Sequence, residues 1–252
     1  MKKLIRTIQS EVPFAKSAKD AWRFWSLRLS RRPHEEDFRA LSMLPDGCCV
    51  DVGANQGQSI ESIRLFKPNA QVIAFEANPR LATKLTERYR GQKSIQINEF
   101  GLSDTCGNFT LYIPFYNNFE YDALASMERD HAASWIGTET VYNFRPHKLR
   151  VEEVECRTKT LDSFNLEPVF VKIDVEGLEY VVLQGAKETL VKHNPVVLLE
   201  YSEFDARAKH FLQSIGYAEY AYDRSGFQKG QSGRDKPNSF FIPPKYERML
   251  LG

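Results

Sequence analysis

From residue 47 onward, short apolar runs alternate with stretches of helical periodicity, and this alternation restricts the chain more than any other feature. The runs at 48–52, 71–75, 94–100, 169–173 and 196–199 have the length of strands. Between them, apolar residues recur three and four apart, as at Ile60, Ile63 and Phe66. Strands separated by helices join as βαβ units of a parallel sheet. The runs at 169–173 and 196–199 are almost wholly apolar, as a strand covered on both faces requires. We therefore expect an α/β domain over 45–252, with helices near 79–89, 179–192 and 205–215 and further strands at 109–113, 217–222 and 239–242.

Three stretches depart from that rhythm. Residues 1–44 read as an amino-terminal helical extension, since Leu4, Ile5, Ile8 and Val12 recur at helical spacing and Trp22, Trp25, Phe38 and Leu41 do so more loosely. Between about 114 and 157 the periodicity weakens while aromatic residues accumulate, among them Phe115, Tyr116, Phe119, Tyr121, Trp135, Tyr142 and Phe144. Such an insertion suits either a substrate-facing loop for ring-shaped acceptors or a satellite hydrophobic cluster over the sheet. The stretch 224–238, rich in glycine, lysine and serine, reads as a loop.

Lysine plus arginine total 34 against 33 acidic residues, a balance that gives no reason to expect nucleic acid as a partner. The amino-terminal segment is locally basic, with Lys2, Lys3, Arg6, Lys16, Lys19, Arg23, Arg28, Arg31 and Arg32 against Glu11 and Asp20. It suits peripheral contact with an anionic membrane surface, or simply a solvated helical face. Neither a signal peptide nor a run of about 20 apolar residues is evident, so a cytoplasmic protein is expected. Cys48, Cys49, Cys106 and Cys156 form no CxxC pair, and no structural zinc site is expected.

Chemistry concentrates at three strand ends. In Val50-Asp51-Val52-Gly53-Ala54-Asn55-Gln56-Gly57 a strand turns into a helix, where glycine admits a ligand to the backbone and the helix amino terminus offers unpaired N–H groups. Gly53 and Gly57 are spaced G-x-x-x-G, which is not the dinucleotide fingerprint. Glu76, roughly 20 residues on, ends the second strand where a carboxylate can accept hydrogen bonds from both hydroxyls of a ribose; alternatively it caps the helix beginning at Pro79. An acid at position 51 would repel a pyrophosphate and attract a cationic centre, so S-adenosylmethionine fits better than NAD. In Val171-Lys172-Ile173-Asp174-Val175-Glu176-Gly177-Leu178-Glu179, Asp174 and Glu176 fall at the ligand-bearing edge of the sheet. They could serve the cofactor or the acceptor, or form an ion-pair network with Lys172.

The segments VDVGANQG, AFEANP, GLSD, VKIDVEGLE and LLEYSE occur in the order seen in FkbM-type S-adenosylmethionine-dependent methyltransferases, and the chain resembles that family over about 47–242. The resemblance implies a Rossmann-like class I methyltransferase fold, a mostly parallel seven-stranded sheet with helices on both faces. It also implies O-methylation of a sugar, glycan, glycolipid or small metabolite. By motif position, Asp51, Gly53, Ala54, Asn55, Gly57 and Glu76 would contact the cofactor, Gly101 and Leu102 would lie beside the adenine, and Asp174 near the methionine end. Asn55 stands where the common turn has its middle glycine.

A hydroxyl acceptor must lose its proton during transfer, and Asp174 or Glu176 is the first choice to take it or to orient the hydroxyl. Glu200, His131 and His147 are further candidates, and no metal is expected. The IDVEG stretch lacks the proline-aromatic clamp of a nucleic-acid amino methyltransferase. A competing reading is a non-catalytic, cofactor-binding interaction module in a glycan-assembly complex.

Overall fold

The computed structural model describes residues 2–12, 31–175, 177–200, 206–223, 225–230 and 238–251. The expectations for Trp22, Trp25 and Glu176, and Lys16, Lys19, Arg23 and Arg28 of the basic amino-terminal run, lie outside the described residues. In chain order the strands are β1 (Cys48–Val52), β2 (Gln71–Phe75), β3 (Ile95–Asn98), β4 (Gly101–Leu102), β5 (Gly107–Tyr116), β6 (Phe119–Glu120), β7 (Leu149–Lys159), β8 (Pro168–Ile173), β9 (Val196–Glu200), β10 (Ala218–Asp223), β11 (Gly226–Lys229) and β12 (Asn238–Ile242). The α-helices are α1 (Lys2–Glu11), α2 (Gln58–Phe66), α3 (Pro79–Arg88), α4 (Arg129–Ser134), α5 (Glu179–Gln184), α6 (Lys187–His193), α7 (Arg207–Ser214) and α8 (Pro244–Leu251). A 3-10 helix, Glu36–Met43, precedes β1. The chain divides into two compact units, one of residues 30–107 with 157–252, the other of 1–29 with 108–156.

The larger unit is built on an eight-stranded sheet of order β11-β10-β12-β9-β8-β1-β2-β3. From β3 to β9 every pair is parallel, and β12, β10 and β11 add antiparallel neighbours. The strand count exceeds the expected seven because β11 forms inside the stretch read as a loop. Phe227 holds it there, with its ring 5.2 Å from Phe240 and 5.0 Å from Tyr222. Polar and glycine-rich neighbours hide that single aromatic anchor from a pattern search.

Strand alternation sorts the two sheet faces. Val50, Val52, Ile73, Phe75, Val171, Ile173, Val197 and Leu199 share a core with Val182 and Leu183 of α5, Leu190 of α6 and Leu212 of α7. The alternate positions place Asp51 level with Ala74 on one side and Lys172 on the other. The helix expected over 179–192 is interrupted between α5 and α6 at Gly185, where a Cβ would stand 1.9 Å from the Ser103 carbonyl oxygen. The α3 start follows its sequence signals, with Pro79 in the first turn and Asn78 Oδ1 accepting from the Arg80 N–H at 3.0 Å.

In the smaller unit, Tyr116, Phe119, Tyr121, Ile136 and Val141 form a hydrophobic cluster joined by Leu124, Phe144 and Leu149. Four of the insertion's aromatic residues thus build this unit's own core, as the cluster reading expects, while Trp135 and Tyr142 remain 45% and 51% exposed. Helix α1 presents its polar edge to these residues: Tyr121 OH donates to the Arg6 carbonyl at 3.3 Å, Asn117 Nδ2 to that of Ser10 at 3.1 Å, and the Tyr142 N–H to Thr7 Oγ1 at 2.9 Å. Leu4, Ile8 and Val12 consequently stand 53%, 53% and 46% exposed. Among the described residues no helix is long and apolar enough to cross a membrane.

Candidate functional site

The site grows from the turn after β1. The Gly53 and Ala54 N–H groups donate to the Phe75 carbonyl at 3.0 and 3.1 Å, lashing the turn to the end of β2. Gly53 (φ 81°), Asn55 (φ 49°) and Gly57 (φ 84°) are left-handed. At Gly53 the need for glycine is double, because a Cβ would also lie 1.9 Å from the Asp174 carbonyl oxygen. Asparagine tolerates the left-handed region better than most residues, which accounts for Asn55 in the middle of the turn.

Glu76 closes the turn from the next strand. Its Oε2 accepts from the Asn55 N–H at 2.7 Å and its Oε1 from the Asn78 N–H at 2.8 Å. The carboxylate therefore ties the β1 turn to the entry of α3, while Asn78 is the residue that caps the helix. Each carboxylate oxygen can accept a second hydrogen bond. Asn78 Nδ2, buried beside it, has no hydrogen-bond partner among the described residues.

Beneath the turn lies a buried charge network. Asp51 is fully buried and accepts a hydrogen bond from Ser59 Oγ of α2. The Lys172 ammonium lies 3.8 Å from Asp51 Oδ1 and 2.9 Å from Asp174 Oδ2. Burial pushes the Asp51 carboxyl up, against the pull of Lys172 and the Ser59 hydroxyl. Burial alone would push Lys172 down, yet the Asp51 and Asp174 carboxylates hold it above its ordinary value. For Asp174, burial works against ionisation, but Lys172, a hydrogen bond with Glu200 and the positive form of His34 together hold the carboxyl below its ordinary value. The ion-pair network with Lys172, one of the readings open from sequence, is thus present, and it keeps Asp174 ionised at the sheet edge.

A fourth element arrives from before the sheet. The His34 N–H donates to Ser62 Oγ of α2 at 2.8 Å, and Asn238 Nδ2 donates to Glu35 at 2.8 Å and to Asp37 at 3.2 Å. Asn238 begins β12 and pairs in register with Glu200 at the end of β9. His34 and Glu35 are therefore fixed near the carboxyl ends of β8 and β9. Sequence reasoning missed them, because they sit in the amino-terminal extension and only the fold carries them to the edge. Lys172 did leave a signal: one lysine in an otherwise apolar strand needs a buried partner.

The structure brings Asp51, the 53–57 turn and Asp174 to neighbouring strand ends, with Glu76 on the next strand out. Gly101 pairs with Thr158, and Leu102 is packed into the main core. His131 and His147 belong to the smaller unit, where His131 Nδ1 lies 3.2 Å from Ser126 Oγ and its ring packs edge-on to Trp135. Among the described residues no three His, Cys, Asp or Glu side chains are grouped to hold a metal ion.

Comparison with known proteins assigns this architecture. Residues 51–223 match the model of the methyltransferase FkbM domain. The chain is 30% identical over 239 residues to the AMB antimetabolite synthetase AmbE of Pseudomonas aeruginosa, covering 82% of this chain and 11% of that protein. It is 26% identical over 165 residues to the 2-O-methyltransferase NoeI of Sinorhizobium fredii, covering 63% of this chain and 65% of that one. The chain therefore spans about a tenth of the length of the first relative and just under two thirds of the second. The crystal structure of methyltransferase FkbM from Methylobacillus flagellatus shares its fold, with a TM-score of 0.50 at 15% identity over 84% of this chain and 48% of that one. A parallel sheet carrying a glycine turn, a strand-end glutamate and an acidic third motif, matched by this domain over 173 residues counted from 51 to 223, places the chain in the FkbM family of S-adenosylmethionine-dependent methyltransferases.

Proposed function

We propose that the chain transfers a methyl group to a hydroxyl oxygen of a sugar, glycan, glycolipid or small metabolite. The observation that carries this reading is Asp174, a carboxylate kept ionised at the sheet edge by Lys172, where it can accept a hydrogen bond from an incoming hydroxyl. The 2-O-methyltransferase among the relatives supports oxygen as the acceptor atom. A cofactor with a ribose fits the residues present. Its hydroxyls both donate and accept, matching the two Glu76 oxygens and the unpartnered Asn78 Nδ2. Glu76, Asn55 and the 53–57 turn would hold the adenosyl part, with Gly101 and Leu102 toward the adenine and Asp51 and Asp174 toward the cationic end. S-Adenosylmethionine supplies an activated methyl carbon, so the protein's remaining tasks are alignment and exclusion of water.

Asp174→Asn and Glu176→Gln are expected still to bind S-adenosylmethionine by calorimetry, Asp174→Asn more weakly for want of a charge at the cationic end, while losing about 100-fold or more in turnover, the usual weight of a positioned acid or base. Transfer of labelled methyl to hydroxylated glycan and lipid extracts is the assay. Full activity in both variants would remove these residues from the mechanism. No incorporation by the parent chain would favour a binding-only module.

We further propose that the smaller unit touches anionic membrane surfaces through α1. Exposed Leu4 and Ile8 with Lys3 and Arg6 on one short helix, and exposed Val12 just after it, give the mixed apolar and basic character of an interfacial helix. The chain should sediment with phosphatidylserine vesicles and not with phosphatidylcholine ones, and Ile8→Asp should abolish the difference. Equal recovery with both lipids would dismiss the contact.

A further inference from the structure

We propose that His34 is the group that takes the acceptor's proton, with Glu35 beside its ring and the Asp174 carboxylate acting on its charge. The inference rests on the O-methyl transfer proposed above and concerns a residue that precedes the matched domain. Three observations carry it. His34 is anchored on both sides, by its own N–H to Ser62 and by Glu35 to Asn238, so the segment is held against α2 and the start of β12. Its imidazole is partly exposed, with 29% of the side chain accessible, and Nε2 lies 3.9 Å from Glu35 Oε1. Asn238, which holds Glu35, pairs in register with Glu200 at the end of β9, so the segment sits at the sheet edge where Asp174 follows β8.

Chemistry then separates the two roles. A carboxylate held below its ordinary pKa is a weak proton acceptor, whereas an imidazole exchanges protons near neutrality. The hydroxyl proton passes to an imidazole nitrogen as the oxygen lone pair forms the new C–O bond. The C–S bond pair remains on sulfur as the neutral thioether, and the imidazolium returns its proton to solvent. Among the described residues, the charged groups bearing on this step include Glu35 beside the ring, Asp174 from the end of β8, Lys172 and Glu200 through Asp174, and Asp37 through Asn238.

Two measurements on the full chain decide the matter. In the first, His34→Gln should keep its calorimetric affinity for S-adenosylmethionine but lose about 100-fold in methyl incorporation, and imidazole in the buffer should partly restore His34→Ala. In the second, the NMR signal missing from His34→Gln identifies the His34 C2 proton among the chain's five histidines. Its titration midpoint should fall when S-adenosylmethionine replaces S-adenosylhomocysteine, since only the former adds a positive charge, and it should also fall in Asp174→Asn. A His34→Gln variant within threefold of the parent, or a midpoint indifferent to both ligand charge and Asp174, overturns the assignment. If the parent itself methylates nothing, O-methyl transfer fails and the titration alone judges His34.

Discussion

Gly53→Ala is expected to eliminate calorimetric binding of S-adenosylmethionine and S-adenosylhomocysteine and to lower the melting midpoint well beyond what backbone strain explains. Gly91→Ala is the matched control: Gly91 has the same φ of 81°, yet a Cβ there meets nothing within 4 Å. Both substitutions force alanine into the left-handed region, at about 1–3 kcal/mol. Only at position 53 does the new methyl collide with a backbone oxygen, that of Asp174, at 1.9 Å. Relief requires β1 and the segment after β8 to separate, which stretches the 3.1 Å hydrogen bond from the Asp174 N–H to the Val52 carbonyl. In a domain of this size each kcal/mol moves the midpoint by roughly 2–4 °C. Differential scanning calorimetry should find Gly53→Ala clearly below Gly91→Ala. Equal midpoints, with cofactor binding retained, would mean that the close approach of these strand ends does not shape the site.

Residues whose partners lie close in sequence were legible, and those whose partners come from crossovers were not. Strands β1, β2 and β9 could be read because near-complete burial leaves almost no polar residue in 48–52, 71–75 or 196–199. The start of α3 could be read because Asn78 and Pro79 act within one turn. Glu76 was placed at a strand end, yet its grip on the Asn55 N–H spans 21 positions and needed the fold to reveal it. The break at Gly185 depends on the Ser103 carbonyl, which local helical periodicity cannot register. The aromatic insertion left two readings open for a related reason: composition reports that rings are abundant, not whether they face a ligand or, like Tyr116 and Phe144 at 5.3 Å, each other. His34 lay furthest from view, because nothing near it in sequence indicates that Asn238, 203 residues from Glu35, fastens its neighbour to the sheet.

Lys172→Met is expected to destabilise the chain by roughly 3–5 kcal/mol, because it strands the Asp51 carboxylate in the interior without its cation. The companion variant Asp51→Asn/Lys172→Met removes both charges and should recover most of that loss, since a buried pair replaced by neutral groups is often tolerated. The pH dependence follows from sign. Burial already pushes the Asp51 carboxyl up while Lys172 opposes the shift. Without the lysine, Asp51 keeps its proton in the folded state to higher pH than in the unfolded chain, so stability falls as pH rises above about 4 toward the folded value. The deficit of Lys172→Met relative to the parent should therefore be smaller at pH 5 than at pH 8, with the double variant free of that slope. In the parent, Asp174 has the opposite sign: its lowered pKa contributes stability that is lost only as pH falls below the ordinary carboxylate range. Urea denaturation of the three proteins at both pH values measures each difference directly. A double variant no more stable than Lys172→Met would show that lost packing of the lysine stem, rather than an unpaired Asp51, sets the cost, and Lys172 would then be filler between two strands instead of the charge that keeps Asp174 ionised.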